Sequence, residues 1–152
     1  MDLKDISLRE FLRDLVKTWQ PTAAQRAITL ALARDDEGVS LRGDADKLRR
    51  VFDNLVKNAV EATEHGPGRI RIHVTVPTIE KVRISVEDTG SGIADTVQVF
   101  HLFETTKANG TGLGLGVARQ IVLAHGGHIE FQPVRPYGTV FHIELPKRGP
   151  IT

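Results

Sequence analysis

Arg69-Ile70-Arg71-Ile72-His73-Val74-Thr75-Val76-Pro77-Thr78-Ile79-Glu80-Lys81-Val82-Arg83-Ile84-Ser85-Val86-Glu87-Asp88 reads as two strands joined by a short turn. Ile70, Ile72, Val74 and Val76 alternate with polar residues, and Val82, Ile84 and Val86 repeat the pattern. A period of two puts one face of each strand on a core and the other toward water. Residues 77–80 supply the turn. Strands that follow one another in this way, rather than alternating with helices, point to helices packed on one face of a mostly antiparallel sheet.

Working upstream, residues 44–64 read as a helix. Leu48, Val51, Phe52, Leu55, Val56, Ala59 and Val60 form one apolar stripe, and His65-Gly66-Pro67-Gly68 stops it. An earlier helix starts at Ser7, with Glu10 as a capping-box partner, and carries Leu8, Phe11, Leu12, Leu15, Val16 and Trp19 on one face. Pro21 is expected to kink or end it. Residues 28–34 read as a strand, 35–38 as a turn and 39–42 as its short partner. Downstream, residues 88–110 hold no periodicity, a span too long for an ordinary connector. A helix over 112–124 ends at Gly126-Gly127, and strands over 128–134 and 139–145 meet through Pro136-Tyr137-Gly138. The sum is about six strands and three main helices in one domain over residues 1–152. The expected class is α+β, a two-layer α/β sandwich.

The 152 residues are 40% hydrophobic and 26% charged, an ordinary globular composition for a chain long enough to bury one core. A net charge of +1 argues against a dedicated nucleic-acid binder or a polybasic membrane module. The absence of cysteine excludes disulfides, thiol catalysis and cysteine-ligated metals. No apolar run is long enough to span a bilayer, and Met-Asp-Leu-Lys-Asp-Ile begins no signal peptide.

Three motifs carry chemistry. In Asn54-Leu55-Val56-Lys57-Asn58-Ala59-Val60-Glu61-Ala62, the residues Asn54, Asn58 and Glu61 share a stripe bordering the apolar face. Amide oxygens at a core edge suit Mg²⁺, which takes oxygen ligands together with substrate phosphates. The plainer reading is a set of polar residues at a helix boundary. Asp88-Thr89-Gly90-Ser91-Gly92-Ile93 follows a strand: its glycines allow close backbone approach, and Asp88 offers a carboxylate acceptor for an amino group such as adenine N6. A degenerate dinucleotide fingerprint is the competing reading, but Asp95 stands where its third glycine would be. Gly110-Thr111-Gly112-Leu113-Gly114-Leu115-Gly116 opens a helix whose bared N–H groups could cradle phosphate. No Lys-Ser or Lys-Thr pair follows, so it is not a P-loop; a glycine hinge is the alternative.

In order and spacing, these stretches resemble the boxes of sensor histidine kinases. Residues 54–62 resemble the N box, 88–93 the first glycine box, Phe100-His101-Leu102-Phe103 the F box, 110–115 the second glycine box, and Gly138-Thr139-Val140-Phe141 the closing stretch. Thr105-Thr106-Lys107 and the Asn-Ala-x-Glu-Ala of the N box are most similar to the nitrogen-regulation and oxygen-sensor branch. The F box departs from the Phe-x-Pro-Phe-Phe common in the family.

The resemblance implies the sandwich fold shared with gyrases and mismatch-repair ATPases, ATP as substrate and Mg²⁺ as cofactor. It implies that Asn58 binds the metal, that Asn54, Asn58 and Lys107 serve catalysis, and that Asp88 reads adenine beside Gly92. It extends the nucleotide site to Glu61, Ala62, Gly90, Ile93, Phe103, Thr106, Lys107, Gly110, Thr111, Gly112, Leu113, Gly114, Leu115 and Thr139. Residues 94–109 would form a mobile ATP lid.

None of His65, His73, His101, His125, His128 and His142 is followed by an acidic residue, as the family's phosphoacceptor is. The chain is therefore expected to be a catalytic domain without its dimerisation domain. That domain and a downstream response regulator are the expected partners. A cytoplasmic monomer is expected, with no nucleic-acid or direct membrane contact. His125 and His128 flank a helix end and read as structural rather than as a metal pair. Two rivals remain, a clamp-type ATPase of the same fold and a nucleotide-binding regulatory module. A clamp ATPase would want a Glu one turn before Asn58 to activate water, where this chain has Asn54.

Overall fold

The structure is a computed structural model and describes residues 1–33, 38–63, 67–90, 115–134 and 138–150. In chain order it holds β1 (Lys4–Ser7), α1 (Leu8–Gln25), β2 (Ile28–Leu32), β3 (Ser40–Gly43), α2 (Ala45–Ala62), β4 (Gly68–Thr78), β5 (Lys81–Asp88), α3 (Leu115–Ala124), β6 (His128–Pro133) and β7 (Thr139–Pro146). Five strands form one sheet in the order β2-β4-β5-β7-β6, antiparallel except for the parallel β2–β4 pair. β1 and β3 make a separate antiparallel pair. The expected α+β sandwich, with a mixed and mostly antiparallel sheet against three helices, is what forms.

The alternation quoted first explains the register. Ile72 lies opposite Val86 and Val86 opposite Phe141, while Val74 lies opposite Ile84 and Ile84 opposite Ile143. These apolar rows stand on the face that meets the helices, where Leu12, Leu15, Val51, Phe52, Leu55, Val56 and Val122 are buried with them. Phe11 meets Phe52 edge to face at 5.8 Å between ring centroids, a pairing that adds roughly 0.5–1.5 kcal/mol to the burial. α1 and α2 are also joined by polar contacts. Trp19 Nε1 donates to Asp53 Oδ1 at 2.9 Å, and Arg49 bridges Asp53, Asp14 and Thr18.

Three local expectations are corrected. Pro21 does not end the helix: α1 runs through it to Gln25. The last turn is anchored by buried Ala23 and by Gln20 Nε2 donating to the Leu30 carbonyl at 2.7 Å, and the chain leaves it through Ala27 at φ 57°. Ser7 occupies the cap position of α1, but its side chain makes no capping bond; the first-turn N–H of Leu8 donates instead to the Val39 carbonyl at 3.1 Å. β3 does not pair with β2. It pairs with β1, a strand the pattern did not reveal, with Leu41 opposite Ile6. β2 instead runs parallel to β4 after a crossover through α2, because β4 offers a longer apolar face with Ile70 and Ile72. No helix among the described residues is long and apolar enough to cross a membrane.

Candidate nucleotide site

Asp88 is the last residue of β5, opposite Ile70 on one side and Thr139 on the other. The alternation puts it on the helix-facing side, where only 4% of it is exposed. Its Oδ1 accepts from the Gly90 N–H at 2.8 Å, and the Thr139 N–H also bonds the carboxylate. Burial pushes its pKa up to about 6, against the opposing pull of those two N–H donors. Asp88 is thus an acceptor held at the floor of the sandwich, beside buried Thr139.

The end of α2 closes onto this strand end. A Cβ at Gly90 would overlap the Ala62 carbonyl, so glycine lets the chain after β5 pass directly against the helix terminus. A Cβ at Gly68 would overlap the Thr63 methyl, and Thr63 is buried with its hydroxyl donating to the Ala59 carbonyl at 2.7 Å. Thr89 Oγ1 accepts from the Arg69 N–H at 2.9 Å and ties the loop start to β4. Gly138, at φ 119°, lies where a Cβ would overlap the Asp88 carbonyl. Gly138→Ala combines strain with overlap, so urea denaturation should show a loss of roughly 2–4 kcal/mol. A midpoint shift no larger than that of a surface substitution would contradict the close approach. Thr63, Gly68, Thr89 and Gly138 were not among the candidates. Thr63 read as part of the helix and Gly68 as its stop, while Thr89 and Gly138 fell within the glycine-box and closing-stretch resemblances without a role; packing ties all four to the site.

Asn54, Asn58 and Glu61 lie along α2, each half-buried, bordering the buried Leu55, Val56, Ala59 and Val60 as the 100° count requires. The Asn58 Nδ2 is buried with no hydrogen-bond partner among the described residues. An unmet buried donor costs about 1–3 kcal/mol, so such an atom calls for a ligand. An amide that donates to a phosphate oxygen presents its own oxygen to a cation, which fits the donor chemistry of Mg²⁺. Among the described residues no three His, Asp or Glu side chains cluster as a metal cage.

Leu115, in the first turn of α3, is buried in the core at 1% exposure, so what it could offer a ligand is its backbone. Of the sequence candidates, the structure brings together Asp88 with Thr139 and Gly90 with Ala62. Gly92, Ile93, Phe103, Thr106, Lys107, Gly110, Thr111, Gly112, Leu113 and Gly114 lie outside the described residues, as does the expected lid over 94–109.

Residues 43–149 match the sequence profile of the "Histidine kinase-, DNA gyrase B-, and HSP90-like ATPase" family. The chain is 37% identical over 158 residues to the sensory/regulatory protein RpfC of Xanthomonas campestris pv. campestris, covering 96% of this chain and 22% of that protein. It is 33% identical over 145 residues to the signal transduction histidine-protein kinase AtoS of Escherichia coli K12, covering 94% and 24%. The chain thus spans less than a quarter of the length of either relative. Among solved structures, the catalytic domain of histidine kinase ThkA superposes with a TM-score of 0.86 at 28% identity, covering 97% of each chain.

Proposed function

Because the chain belongs to the family of histidine kinase-, DNA gyrase B- and HSP90-like ATPases, we propose that it binds Mg-ATP and transfers the γ-phosphoryl group to a histidine on a separate dimerisation domain. The observation that carries this reading is the buried Asn58 Nδ2, which has no hydrogen-bond partner among the described residues. A triphosphate oxygen would satisfy Nδ2, and Oδ1 would hold Mg²⁺. The metal would neutralise charge on the phosphates. Asp88, fixed by the Gly90 and Thr139 N–H groups, would accept from the adenine amino group and orient the base. Glu61 and Ala62, half-buried at the end of α2, would lie along the ligand between its two ends.

Transfer breaks the bond between the γ-phosphorus and the bridging oxygen and forms a phosphorus–nitrogen bond on the acceptor imidazole, with ADP leaving. The chain's own contribution is positioning and charge neutralisation rather than a nucleophile. Asn54 carries no basic group, so water is poorly activated. This favours phosphotransfer over a clamp-type hydrolysis cycle. A response regulator would then take the phosphoryl group from the dimerisation domain.

Phosphate release by the purified chain, measured beside phosphohistidine formation on an added dimerisation domain, tests the reading. The chain alone should bind Mg-ATP and hydrolyse it very slowly, and the added domain should become labelled, weakly, because no tether raises its effective concentration. Fast steady-state hydrolysis that survives Asn54→Ala would favour the clamp ATPase instead. Binding of nucleotide with no transfer to any acceptor would favour a regulatory module.

A further inference from the structure

His125 is 1% exposed and bonded on both sides of its ring. Nδ1 lies 2.8 Å from the Ile121 carbonyl, and Nε2 lies 3.0 Å from the Asp44 backbone nitrogen. A carbonyl only accepts and a backbone N–H only donates, so Nδ1 carries the proton and Nε2 accepts. The two bonds join different elements. His125 is the residue after α3, where the chain leaves in a Schellman turn: Gly126 at φ 80°, its N–H on Leu123 at 2.9 Å, and the Gly127 N–H on Val122 at 3.0 Å. Asp44 is the cap of α2, and its Oδ1 accepts from the Lys47 N–H at 3.1 Å.

The ring packs closely against the backbone that leads into α2. A Cβ at Gly43 would lie 3.1–3.2 Å from its Cδ2 and Nε2, and a Cβ at Gly127 would overlap the Glu144 carbonyl of β7. The imidazole therefore locks the end of α3 to the start of α2. Lys47 and Arg50 of α2 share a surface groove with Val117, Gln120, Ile121 and Ala124 of α3, so the two helices lie side by side and antiparallel. At 1.5 Å per residue, ten residues back from His125 and ten forward from Asp44 are each about 15 Å. Asn54 and Leu115 thus lie at similar distances along their helices from the His125–Asp44 joint, with Asn58 one turn further along α2.

We propose that His125 is a positioning residue: the buried strut that sets the spacing between α2 and α3, and thereby the geometry offered to the nucleotide's phosphates. This rests on the nucleotide reading above. The base end of the ligand does not depend on the strut. Asp88 and Thr139 face each other across β5 and β7, and the sheet holds them without α3. Loosening the His125–Asp44 joint therefore weakens the phosphate end selectively.

Calorimetry with adenosine and with Mg-ATP, well below the unfolding midpoint, separates positioning from general stability. In His125→Phe, which keeps a ring and loses both bonds, adenosine should bind within about twofold of the parent while Mg-ATP weakens about tenfold or more, because small misplacements of reacting or ligating groups are costly. His125→Gln, whose side-chain oxygen can again accept from the Asp44 N–H, should recover most of the Mg-ATP affinity. Equal losses for both ligands, or unchanged Mg-ATP affinity, would overturn the inference. If His125→Phe does not fold, Gly43→Ala carries the test. Its methyl would meet Leu48 Cδ1 at 2.9 Å as well as the ring at 3.1–3.2 Å but leaves both bonding groups in place, and the same selective loss is expected in smaller measure; no selectivity overturns the inference. A parent chain that binds adenosine but gains nothing from Mg²⁺ and phosphates would overturn the nucleotide reading itself, an outcome distinct from a change seen only in the variants.

Discussion

Asn58→Ala should abolish the Mg²⁺-dependent part of ATP binding and with it phosphotransfer to an added dimerisation domain. Its Nδ2 is buried with no partner among the described residues, so that atom lacks a bond that the ligand would supply. Removing the amide also removes that deficit, so the empty variant should be as stable as the parent or slightly more so, against the usual trend of about 1 kcal/mol lost per substitution. The opposed directions are diagnostic. Titrations of ATP with and without Mg²⁺, run beside urea denaturation, read both quantities. Mg²⁺-dependent affinity that survives in Asn58→Ala would remove this residue from the metal site.

Asp88→Asn should weaken ATP binding about tenfold or more, since a hydrogen bond to a charged acceptor contributes roughly 1.5–3 kcal/mol. The same substitution should stabilise the empty chain at neutral pH. Burial raises the folded pKa from 3.8 to about 6, so the neutral acid is the form that the fold favours. Its contribution to stability is fully present below about 3.8 and is lost as pH rises through about 6. A shift of that size corresponds to up to about 3 kcal/mol above pH 6, part of which Asn would recover.

Ligand binding follows the opposite course. The carboxylate is the better acceptor, so ATP affinity should fall as pH drops through about 6 in the parent and stay flat in Asp88→Asn. Burial lowers the pKa of His73 and His142, so their contribution is present above about 6.5 and is lost as pH falls below it. The overall stability profile mixes both effects, and the difference between parent and Asp88→Asn isolates the carboxylate. A pH-independent difference would contradict the buried acceptor.

The long periodic segments were legible from residues alone. The α2 stripe from Leu48 to Val60 and the alternation in β4 and β5 are local consequences of side-chain geometry, and both reappear in the buried core. The N-box amides on α2 and Asp88 after an apolar strand were legible for the same reason, because face and strand end follow from counting residues. β1 was not legible: four residues, of which only Ile6 is buried, carry too little alternation to register. Pro21 misled because the rule for proline concerns an isolated helix, whereas Ala23 and Gln20 hold the last turn of α1 by tertiary contact.

Pairing and close approach belong to the folded chain. The alternation of β2 and β3 says that each needs a partner but not which one, and the crossover through α2 delivers β4 to β2 while β1 takes β3. In sequence Gly68 reads as a helix stop, Gly90 as a glycine-box residue and Gly138 as part of the closing stretch, with no sign of what each one touches. They serve the site because Thr63, Ala62 and Asp88 press against them from elements remote along the chain. His125 read as structural from its place beside two glycines, and its link to Asp44, 81 residues away, exists only once α2 and α3 pack side by side. Periodicity and motif spacing are written residue by residue, so the class of fold and a candidate site can be read early. Which surfaces meet depends on burying all the apolar faces at once, and that condition is met only in the assembled core.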